Sequence, residues 1–409
     1  MTTPADSPEA EDAPPADPPP ADTAPRKRRR TWLRVLAVVV SLVLLAGAGV
    51  SWYLYKQLDG NIHTDTDTAH ELMRVQSERP KVLPEATTAE NILLLGSDNR
   101  GDGNGKYGQD TGTQRSDTAI LLHLAADRKS ATAVSLPRDL MVHIPSCRRS
   151  DGSMTNPQFA QFNWAFEFGG AACTIRTVEK LTGIRVDHHL VVDFNGFKKM
   201  VDAVDGVEVC VPHAVHDEDA HLDLEAGRQE LHGEQALGYV RARKGIGDGS
   251  DTQRMDRQQQ FLASLVQKVD STGVLLNPAK LYPLLDAATS SLTADEGLDS
   301  LAELYELAQS LRKTPTDQVR FLTVPRRPYT ADPNRDELVQ PAADELFTTL
   351  REDGQVTVEG DEGTGSARPT AGGTSTASPA TPTPSGSASA SPSYHGTTAD
   401  RDVCGGSGD

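Results

Sequence analysis

An uncharged apolar run over residues 35–55 constrains this chain more than any other feature of its sequence. About 20 apolar residues suffice to cross a bilayer, and aromatic residues lie at both ends of the run, where membrane interfaces favour them. The basic run 26–30 precedes it, which predicts a cytoplasmic N-terminus and an extracellular remainder. The small residues 46–48 would suit cleavage of a signal peptide, but the run is longer than the apolar region of such a peptide. We therefore predict a retained, single-pass anchor in the cell membrane.

The rest of the 409-residue chain is strongly segregated in composition. Both ends are rich in Pro, Ala, Ser, Thr or Gly and lack the apolar residues that would offset the entropy of ordering, which predicts disorder. The segment after the apolar run has no clear apolar period and contains two prolines, so we predict a stalk there. The predicted organisation is a disordered cytoplasmic segment over 1–30, a transmembrane helix over 31–55, a stalk over 56–88, a folded domain over 89–353 and a disordered tail over 354–409.

The four cysteines, Cys147, Cys173, Cys210 and Cys404, fit a chain that is exported to an oxidising compartment. Cys404 lies in the predicted disordered tail. Among the other three we predict a disulfide bond between Cys147 and Cys173, with Cys210 buried and free. The spacing of cysteines and histidines does not resemble that of a zinc site.

Short apolar runs predict strands buried on both faces at residues 91–95, 118–124 and 131–136. The tight turn after the second run makes the second and third strands antiparallel neighbours. Strands and helices alternate further along the chain. The last four helices are predicted at about 254–269, 278–290, 298–311 and 336–351. This pattern indicates an α/β domain with a mixed β-sheet sandwiched between helical layers.

Charged residues stand where these three strands begin or end. If the first strand also runs against the second, then the end of the first, the start of the second and the end of the third share one edge of the sheet. The charged residues at those points are Asp98, Arg100, Arg115, Asp117 and Arg138. An Asp beside a strand end is often only a turn residue. Two carboxylates that converge with arginines on one edge nevertheless predict a functional site.

A second group of cationic residues follows later, in a chain whose formal net charge is -18. This acidic total excludes a general basic face, so the group is directed at a local anion. Arg241 and Arg243 share a face if the backbone there is extended. Arg254, Arg257 and Gln258 share one face of a helix. Guanidinium groups match phosphate oxygens bidentately, which predicts a phosphate clamp; the alternative is a solvated loop followed by a salt-bridged helix.

Seven sequence blocks occur in the order and spacing that characterise the LytR-CpsA-Psr family. They are NILLLGSDNR, RSDTAILLHL, LPRDLMVHIP, FNWAFEFGG, HLVVDFNGF, LHGEQALGYVRAR and DTQRMDRQQQFL. The chain therefore resembles that family over residues 91–269. The resemblance implies a membrane-anchored phosphotransferase that takes a phosphorylated glycan polymer from a polyprenyl-pyrophosphate carrier and attaches it to peptidoglycan. The polymer would be of the teichoic acid, capsule or arabinogalactan type.

The resemblance also implies roles for individual residues. Asp98 and Asp117 match the family's metal-associated carboxylates, which hold Mg²⁺ or Mn²⁺. The positions that match its pyrophosphate contacts are Arg115, Arg138, Arg241, Arg243 and Arg254, with Gln258 as a polar neighbour and Arg100 and Arg257 as further candidates. The implied catalytic residues are Asp98, Arg115, Asp117 and Arg138, and either carboxylate could serve as the base. Where the family usually has the motif Asp-Phe-Gly-Arg, this chain has Asp-Thr-Gln-Arg over residues 251–254, which keeps the charged residue at each end.

Three other functions would use the same features differently. Water could replace the sugar hydroxyl, which would make the protein a polyprenyl-pyrophosphate pyrophosphatase. A membrane-bound transcriptional attenuator would need residues 26–34 to bind DNA, but these are few and the remainder of the chain is acidic, opposite to a nucleic-acid footprint. We therefore expect no nucleic-acid partner. A plain wall-binding module would need no turnover at all.

Overall fold

The computed structural model describes residues 26–97, 116–218, 220–242, 251–271, 277–359, 393–402 and 404. These belong to two compact units, Met1–Leu54 and Tyr55–Asp409. Helix α1 covers Arg26–Asp59, so the helix begins five residues before the predicted boundary at residue 31. Its part Trp32–Asp59 is long and apolar enough to cross a membrane.

Strands and helices are interspersed along the described chain, in runs of one to five strands separated by one to three helices. The strands are β1 (His63–Thr64), β2 (Glu90–Ser97), β3 (Ser116–Leu124), β4 (Ala131–Leu136), β5 (Met141–Ile144), β6 (Gln158–Gln161), β7 (His188–Asp193), β8 (Val207–Val211), β9 (Val215–Asp217), β10 (Leu222–Leu224), β11 (Gly227–Leu231), β12 (Leu292–Ala294), β13 (Val319–Thr323), β14 (Arg326–Tyr329), β15 (Asp332–Leu338), β16 (Thr357–Val358), β17 (Ser393–Tyr394) and β18 (Gly396–Thr398). The helices after α1 are α2 (Thr66–Arg74), α3 (Trp164–Thr182), α4 (Phe194–Ala203), α5 (Gly233–Arg241), α6 (Asp251–Ser271), α7 (Pro278–Thr289), α8 (Leu301–Lys313) and α9 (Ala342–Arg351).

Within the described residues the largest sheet has eight strands, in the order β1-β12-β7-β2-β3-β4-β13-β18. Strand β3 runs against both β2 and β4, whereas β7 is parallel to β2 and β13 is parallel to β4. The sheet is therefore mixed. The carboxyl ends of β2, β7, β4 and β13 and the amino end of β3 meet at one edge, which we call the carboxyl edge.

Helices cover both faces of this sheet. Leu93 and Leu95 of β2 belong to a core that includes Ile175 of α3. The opposite face of the same strand carries Ile92, which belongs to a different core together with Ala263 of α6. Burial on both faces explains why the strands are continuously apolar rather than alternating. The predicted α/β fold, with a mixed sheet between helical layers, is confirmed.

The last predicted helix begins later than the sequence suggested. Residues 336–338 belong to β15, which forms a hairpin with β14, and α9 begins at Ala342. Pro341 stands at the N-cap of α9. Proline is tolerated at a helix start because its missing N–H would have no intrahelical partner there.

The segment predicted as a stalk is folded, so that prediction is wrong. Strand β1 pairs with β12 in the main sheet, and α2 follows it. The chain after α2 is fixed by Arg79, whose Nη2 lies 2.6 Å from Glu179 Oε1 on α3. The same nitrogen donates to the carbonyl oxygen of Val186 at 2.6 Å. These contacts are buried and come from residues far away in sequence, which a local apolar period does not reveal.

The prediction of a disordered tail is wrong for residues 354–359, 393–402 and 404, whereas the other residues of 354–409 lie outside the described chain. Strand β18 pairs with β13 at the end of the main sheet. Tyr394 is 6% exposed and contributes to the main core. A disulfide bond joins Cys404 to Cys210, so the prediction of a free Cys210 is also wrong. The predicted bond between Cys147 and Cys173 is confirmed, with an S–S distance of 2.02 Å.

An ion pair at the amino-terminal end of β7, away from the carboxyl edge, should make the free energy of unfolding depend on pH. His188 Nδ1 lies 3.1 Å from Asp295 Oδ1, and this hydrogen bond raises the pKa of His188 against the opposing effect of burial. Because the folded pKa lies above the unfolded value of about 6.5, the pair stabilises the fold below that pH and the stabilisation is lost as pH rises through the folded pKa.

We therefore expect the His188→Gln variant to lose this part of the pH dependence. Melting temperatures of both proteins, measured from about pH 5.5 to pH 8.5, should converge as pH rises. Parallel melting profiles across that range would show that the ion pair contributes nothing.

Candidate functional site

Three strands bring their ends together at the carboxyl edge. Ser97, the last residue of β2, pairs with Ser116 of β3 on one side and with Asp193 of β7 on the other. Asp98 directly follows Ser97 and Arg115 directly precedes Ser116, but both lie outside the described residues. The antiparallel arrangement on which the predicted edge depends is thus present.

One ion pair at this edge joins Asp117 of β3 to Arg138, which lies two residues after the end of β4. Ala119 of β3 pairs with Leu136 of β4, so the same antiparallel register places Asp117 opposite Arg138. Arg138 Nη1 donates to Asp117 Oδ1 at 2.8 Å, and Arg138 Nε donates to Asp139 Oδ2 at 3.2 Å. The Asp117 side chain is 37% exposed, so this carboxylate is oriented by the arginine and still open to a ligand.

Two more arginines lie at this edge that the sequence analysis did not single out. The hairpin β14–β15 follows β13, and Arg335 Nη1 of that hairpin donates to Asp139 Oδ1 at 3.1 Å. Arg326 of the same hairpin pairs with Asp336. Burial raises the pKa of Asp256 on α6, and the charges of His395 and Arg326 partly oppose this rise. The available signal was the position of Arg326 just after the apolar run that forms β13. The predicted helix over 336–351 concealed the hairpin.

Helix α6 is fixed across the carboxyl ends of two strands. Gln259 Nε2 donates to Thr323 Oγ1 of β13 at 2.7 Å and to Ser135 Oγ of β4 at 3.3 Å. Ala263, one turn later, belongs to the same core as Ile92, Leu124, Ala131 and Val319, which lie at the end of the sheet opposite to the carboxyl edge. Helix α6 therefore runs antiparallel to β4 and β13, and its first turns lie at the carboxyl edge.

These first turns carry the predicted helical arginines. Arg254 and Arg257 are 5% and 7% exposed. Arg257 Nη2 donates to the carbonyl oxygen of Ala242, and Gln258 Nε2 donates to that of Val240 at 3.0 Å. The start of α6 thus holds the end of α5.

Arg241, the last residue of α5, completes this group. Its guanidinium carbon lies 4.7 Å from the centre of the Phe194 ring, a cation–π distance. Phe194 directly follows Asp193, the partner of Ser97, so Arg241 lies at the same edge as the end of β2. The prediction of an extended pair is wrong for Arg241, which is helical. Arg243 lies outside the described residues, as does Arg100.

The positive charge of Arg241, Arg254 and Arg257 favours a bound anion. Burial lowers the pKa of Arg257, although Tyr239, Asp256 and Asp217 oppose the shift. Arginine nevertheless remains charged at any physiological pH, so α6 keeps a desolvated cation near its N-terminus. The partial positive charge of a helix N-terminus adds to that of the arginines. A phosphate group would neutralise both.

The described side chains supply only some of the ligands that a divalent cation needs. Among the described residues no group of three or more His, Cys, Asp or Glu side chains could hold a metal ion. Asp117 offers one partly exposed carboxylate, which is the hard oxygen ligand that magnesium prefers. Magnesium commonly takes one or two carboxylates and completes its shell with water and substrate phosphates. The described residues therefore fit that mode of binding and not a cage made by the protein alone.

Comparisons with known proteins agree with this geometry. Residues 52–352 match the model of the LytR_cpsA_psr family. The cell wall biosynthesis protein LcpA of Corynebacterium glutamicum is 37% identical over 268 residues, which cover 59% of this chain and 50% of LcpA. The polyisoprenyl-teichoic acid–peptidoglycan teichoic acid transferase TagU of Enterococcus faecalis is 28% identical over 70% of this chain and 88% of its own.

The fold has a counterpart among solved structures. A LytR-Csp2A-Psr enzyme from Actinomyces oris superposes with a TM-score of 0.52 at 25% identity, covering 66% of this chain and 93% of that one. This chain spans about half the length of LcpA and of the related protein LcpB from the same organism.

Proposed function

This chain belongs to the LytR-CpsA-Psr family, and from that premise we propose that it is a cell-wall phosphotransferase. It would take a phosphorylated glycan polymer from a polyprenyl-pyrophosphate carrier and join it to peptidoglycan through a phosphodiester bond. Relatives named as transferases of teichoic acid to peptidoglycan support this assignment. The observation that carries it is the convergence of the Asp117–Arg138 pair with Arg241, Arg254 and Arg257 at one sheet edge.

The proposed reaction exchanges one phosphorus–oxygen bond for another. A hydroxyl oxygen of the acceptor attacks the phosphorus that bears the glycan, and the phosphoanhydride bond to the carrier breaks. The hydroxyl proton passes to a carboxylate, Asp117 or Asp98, and polyprenyl phosphate leaves with the bonding electron pair. Such transfers need positioning and neutralisation of charge more than covalent chemistry. Arg138, Arg241 and Arg254 would stabilise the negative charge on the phosphate oxygens.

We propose Mg²⁺ or Mn²⁺ as the cofactor. Asp117 and Asp98 would hold it, and the ion would supply further neutralisation of the diphosphate. The partly exposed carboxylate of Asp117 supports the assignment. Chelation by EDTA should abolish transfer, and added magnesium should restore it. Full transfer in EDTA would contradict a metal requirement.

The carrier's long apolar tail needs an apolar wall near the arginines. Phe197 lies one helical turn after Phe194, the residue that Arg241 covers, and its ring centre is 5.5 Å from that of Phe261 on α6. Phe197 and Leu265 are only partly buried, at the margin of a core formed by residues of α4, β8, α5 and α6. Apolar surface thus begins one turn away from the cationic group, which suits a ligand that joins a diphosphate to a lipid.

Membrane attachment belongs to the same proposal. Helix α1 would anchor the chain, with the N-terminus in the cytoplasm and residues from 56 onward outside, because the basic run 26–30 precedes the apolar run. This orientation would place the arginines on the side where peptidoglycan lies. Protease added to intact cells should cleave the region after α1 and spare the N-terminus. The reverse pattern would overturn the orientation.

A reconstituted reaction tests the proposed function directly. Detergent-solubilised protein, lipid-linked glycan phosphate, peptidoglycan oligomer and magnesium should give a covalent conjugate and polyprenyl phosphate. Omitting the peptidoglycan distinguishes transfer from pyrophosphate hydrolysis, since a pyrophosphatase would release glycan phosphate at the same rate without an acceptor. No conjugate from teichoic acid, capsule and arabinogalactan donors would overturn the proposal.

Arg241→Ala should lower kcat/KM for the donor by about 100-fold, because one preorganised cation at a developing charge typically contributes that much. Arg128→Ala is a suitable control, since the half-buried Arg128 pairs with Glu90 at the opposite end of β2 and β3. Donor turnover should be followed by release of polyprenyl phosphate. An Arg241→Ala enzyme with unchanged kcat/KM would remove this residue from the phosphate site.

A further inference from the structure

A cavity of about 450 Å³ lies beside the arginine group, between α6, the end of β8 and the C-terminal segment that carries β18. We call it the flank cavity. Tyr239, Arg257, Ser264 and His395 are among its lining residues. Arg257 belongs both to this lining and to the group at the carboxyl edge, so the flank cavity adjoins the proposed phosphate site.

The flank cavity and the apolar wall use different faces of α6. Asp256, Gln260 and Ser264 are four residues apart and line the cavity on one helical face. Gln258 and Phe261 lie on another face, where Gln258 bonds to α5 and Phe261 contacts Phe197 of α4. A donor whose lipid tail follows the second face would leave the flank cavity open to a second reactant.

Buried polar groups in the lining have no partner within the described chain. Ser264 is 5% exposed and its Oγ makes no hydrogen bond there. The same holds for Nε of Arg257. Tyr239 is 3% exposed, and burial raises the pKa of its hydroxyl, which stays protonated as a donor. Unsatisfied buried polar groups are costly and usually mark an absent partner, either water or ligand.

The chemistry of the lining selects among ligand classes. Val211 and Pro212 are apolar, whereas Asp256, Gln260 and His395 are polar. Asp256 Oδ2 lies 3.6 Å from His395 Nε2, which orients the carboxylate. A lipid would leave these polar groups unpaired, and the carboxylate opposes a second phosphate. A sugar presents apolar C–H faces together with hydroxyls that both donate and accept, which matches this mixture.

We infer that the flank cavity binds a saccharide unit of the peptidoglycan acceptor and delivers its hydroxyl towards the phosphate held by the arginines. This inference rests on the proposed function. It assigns the acceptor a built subsite that includes a segment of the C-terminal tail. Residues 393–402 would thus contribute to substrate binding as well as to the edge of the sheet.

Two conservative variants test the subsite by removing one hydroxyl each, Ser264→Ala and Tyr239→Phe. Binding of a peptidoglycan disaccharide–peptide oligomer to the detergent-solubilised full chain should weaken about 5- to 10-fold in each, the usual effect of one lost hydrogen bond. KM for the acceptor should rise by the same factor while KM for the donor stays constant. Tyr305→Phe on α8 is the matched control, because this exposed tyrosine lies outside the cavity.

Stability measurements separate this role from a structural one. Ser264→Ala removes a buried hydroxyl without a partner, so the variant should be as stable as the parent protein or more so. Unchanged acceptor binding in both variants would overturn the inference. Weaker binding of the free donor glycan, with peptidoglycan binding unchanged, would also overturn it and assign the cavity to the donor. The Asp117→Asn protein should bind peptidoglycan normally, because Asp117 does not line the cavity. If the wild type bound peptidoglycan but transferred no glycan to it, that result would contradict the proposed function and leave the binding subsite intact.

Discussion

Asp117→Asn should lower the rate of conjugate formation by about 1,000-fold, within the range expected when a general base is lost. The amide keeps the shape of the side chain but cannot accept the hydroxyl proton, and it no longer balances Arg138. Folding should be nearly unaffected, because the pair is partly exposed and such ion pairs contribute less than about 1 kcal/mol. The rate should be measured with saturating donor and acceptor, so that it reports the chemical step and not binding.

Asp127→Asn is the matched control for this variant. Asp127 lies in the turn after β3, is 56% exposed and forms a salt bridge of 3.7 Å with Lys129. It therefore carries the same change of charge at the opposite end of the same strand. Transfer by Asp127→Asn at the normal rate, with Asp117→Asn inactive and folded, would also rule out a plain wall-binding module. Equal rates in the two variants would remove Asp117 from catalysis.

Arg138→Lys distinguishes the geometry of this arginine from its charge. The guanidinium donates to Asp117 through Nη1 and to Asp139 through Nε, and a single ammonium group cannot reproduce both directions. We expect transfer to fall by about 100-fold even though the formal charge is retained. A fully active Arg138→Lys enzyme would show that position 138 requires only a positive charge.

The Asp117–Arg138 contact was accessible from the sequence because local signals determine it. Two continuously apolar runs joined by a tight turn must form an antiparallel pair, and the residues just outside that pair must then face each other. The same signals predicted strands β2, β3 and β4 and the sandwich of helical layers. They also located the helical arginines, since spacings of three and four residues define one helix face.

Features that depend on distant partners were not accessible in this way. Cys210 and Cys404 are 194 residues apart, and only the folded sheet brings them together. The tail around Tyr394 is mostly Ser, Thr, Pro and Gly, so its composition predicts disorder although β18 adds to the sheet edge. Short strands of this kind derive their stability from the partner strand and from one or two buried side chains. The average composition of the segment does not reveal either contribution.

The segment before β2 is the clearest case of such dependence. Arg79 and Glu179 are 9% and 3% exposed, and Arg79 donates to both carboxylate oxygens of Glu179 at 2.6 to 3.1 Å. Glu179 Oε1 also accepts from the backbone N–H of Val186 at 3.1 Å. Both carboxylate oxygens and two of the guanidinium nitrogens are therefore oriented, and little of either side chain is exposed to water. The ion pair connects the chain that follows α2 to the sheet core.

Glu179→Ala should accordingly destabilise the domain by about 3 to 5 kcal/mol, because it leaves the Arg79 charge buried without its partner. Urea unfolding of residues 55–409 would measure the free energy of unfolding. Glu78→Ala is the matched control, since Glu78 is 68% exposed in its pair with Arg176 on the same helix α3. That change should cost less than about 1 kcal/mol.

Replacing both members of the buried pair separates the cost of an orphaned charge from the value of the interaction itself. Arg79→Met combined with Glu179→Leu should recover part of the lost stability, because apolar side chains of similar size often substitute for a buried ion pair. Recovery should not be complete, because the N–H and C=O groups of Val186 lose their partners in the double variant. If the double variant were as unstable as Glu179→Ala, the pair would be a specific structural requirement of this segment. If Glu179→Ala alone were stable, residues 75–83 would not be fixed to α3 in solution, and the prediction of a stalk would regain its basis.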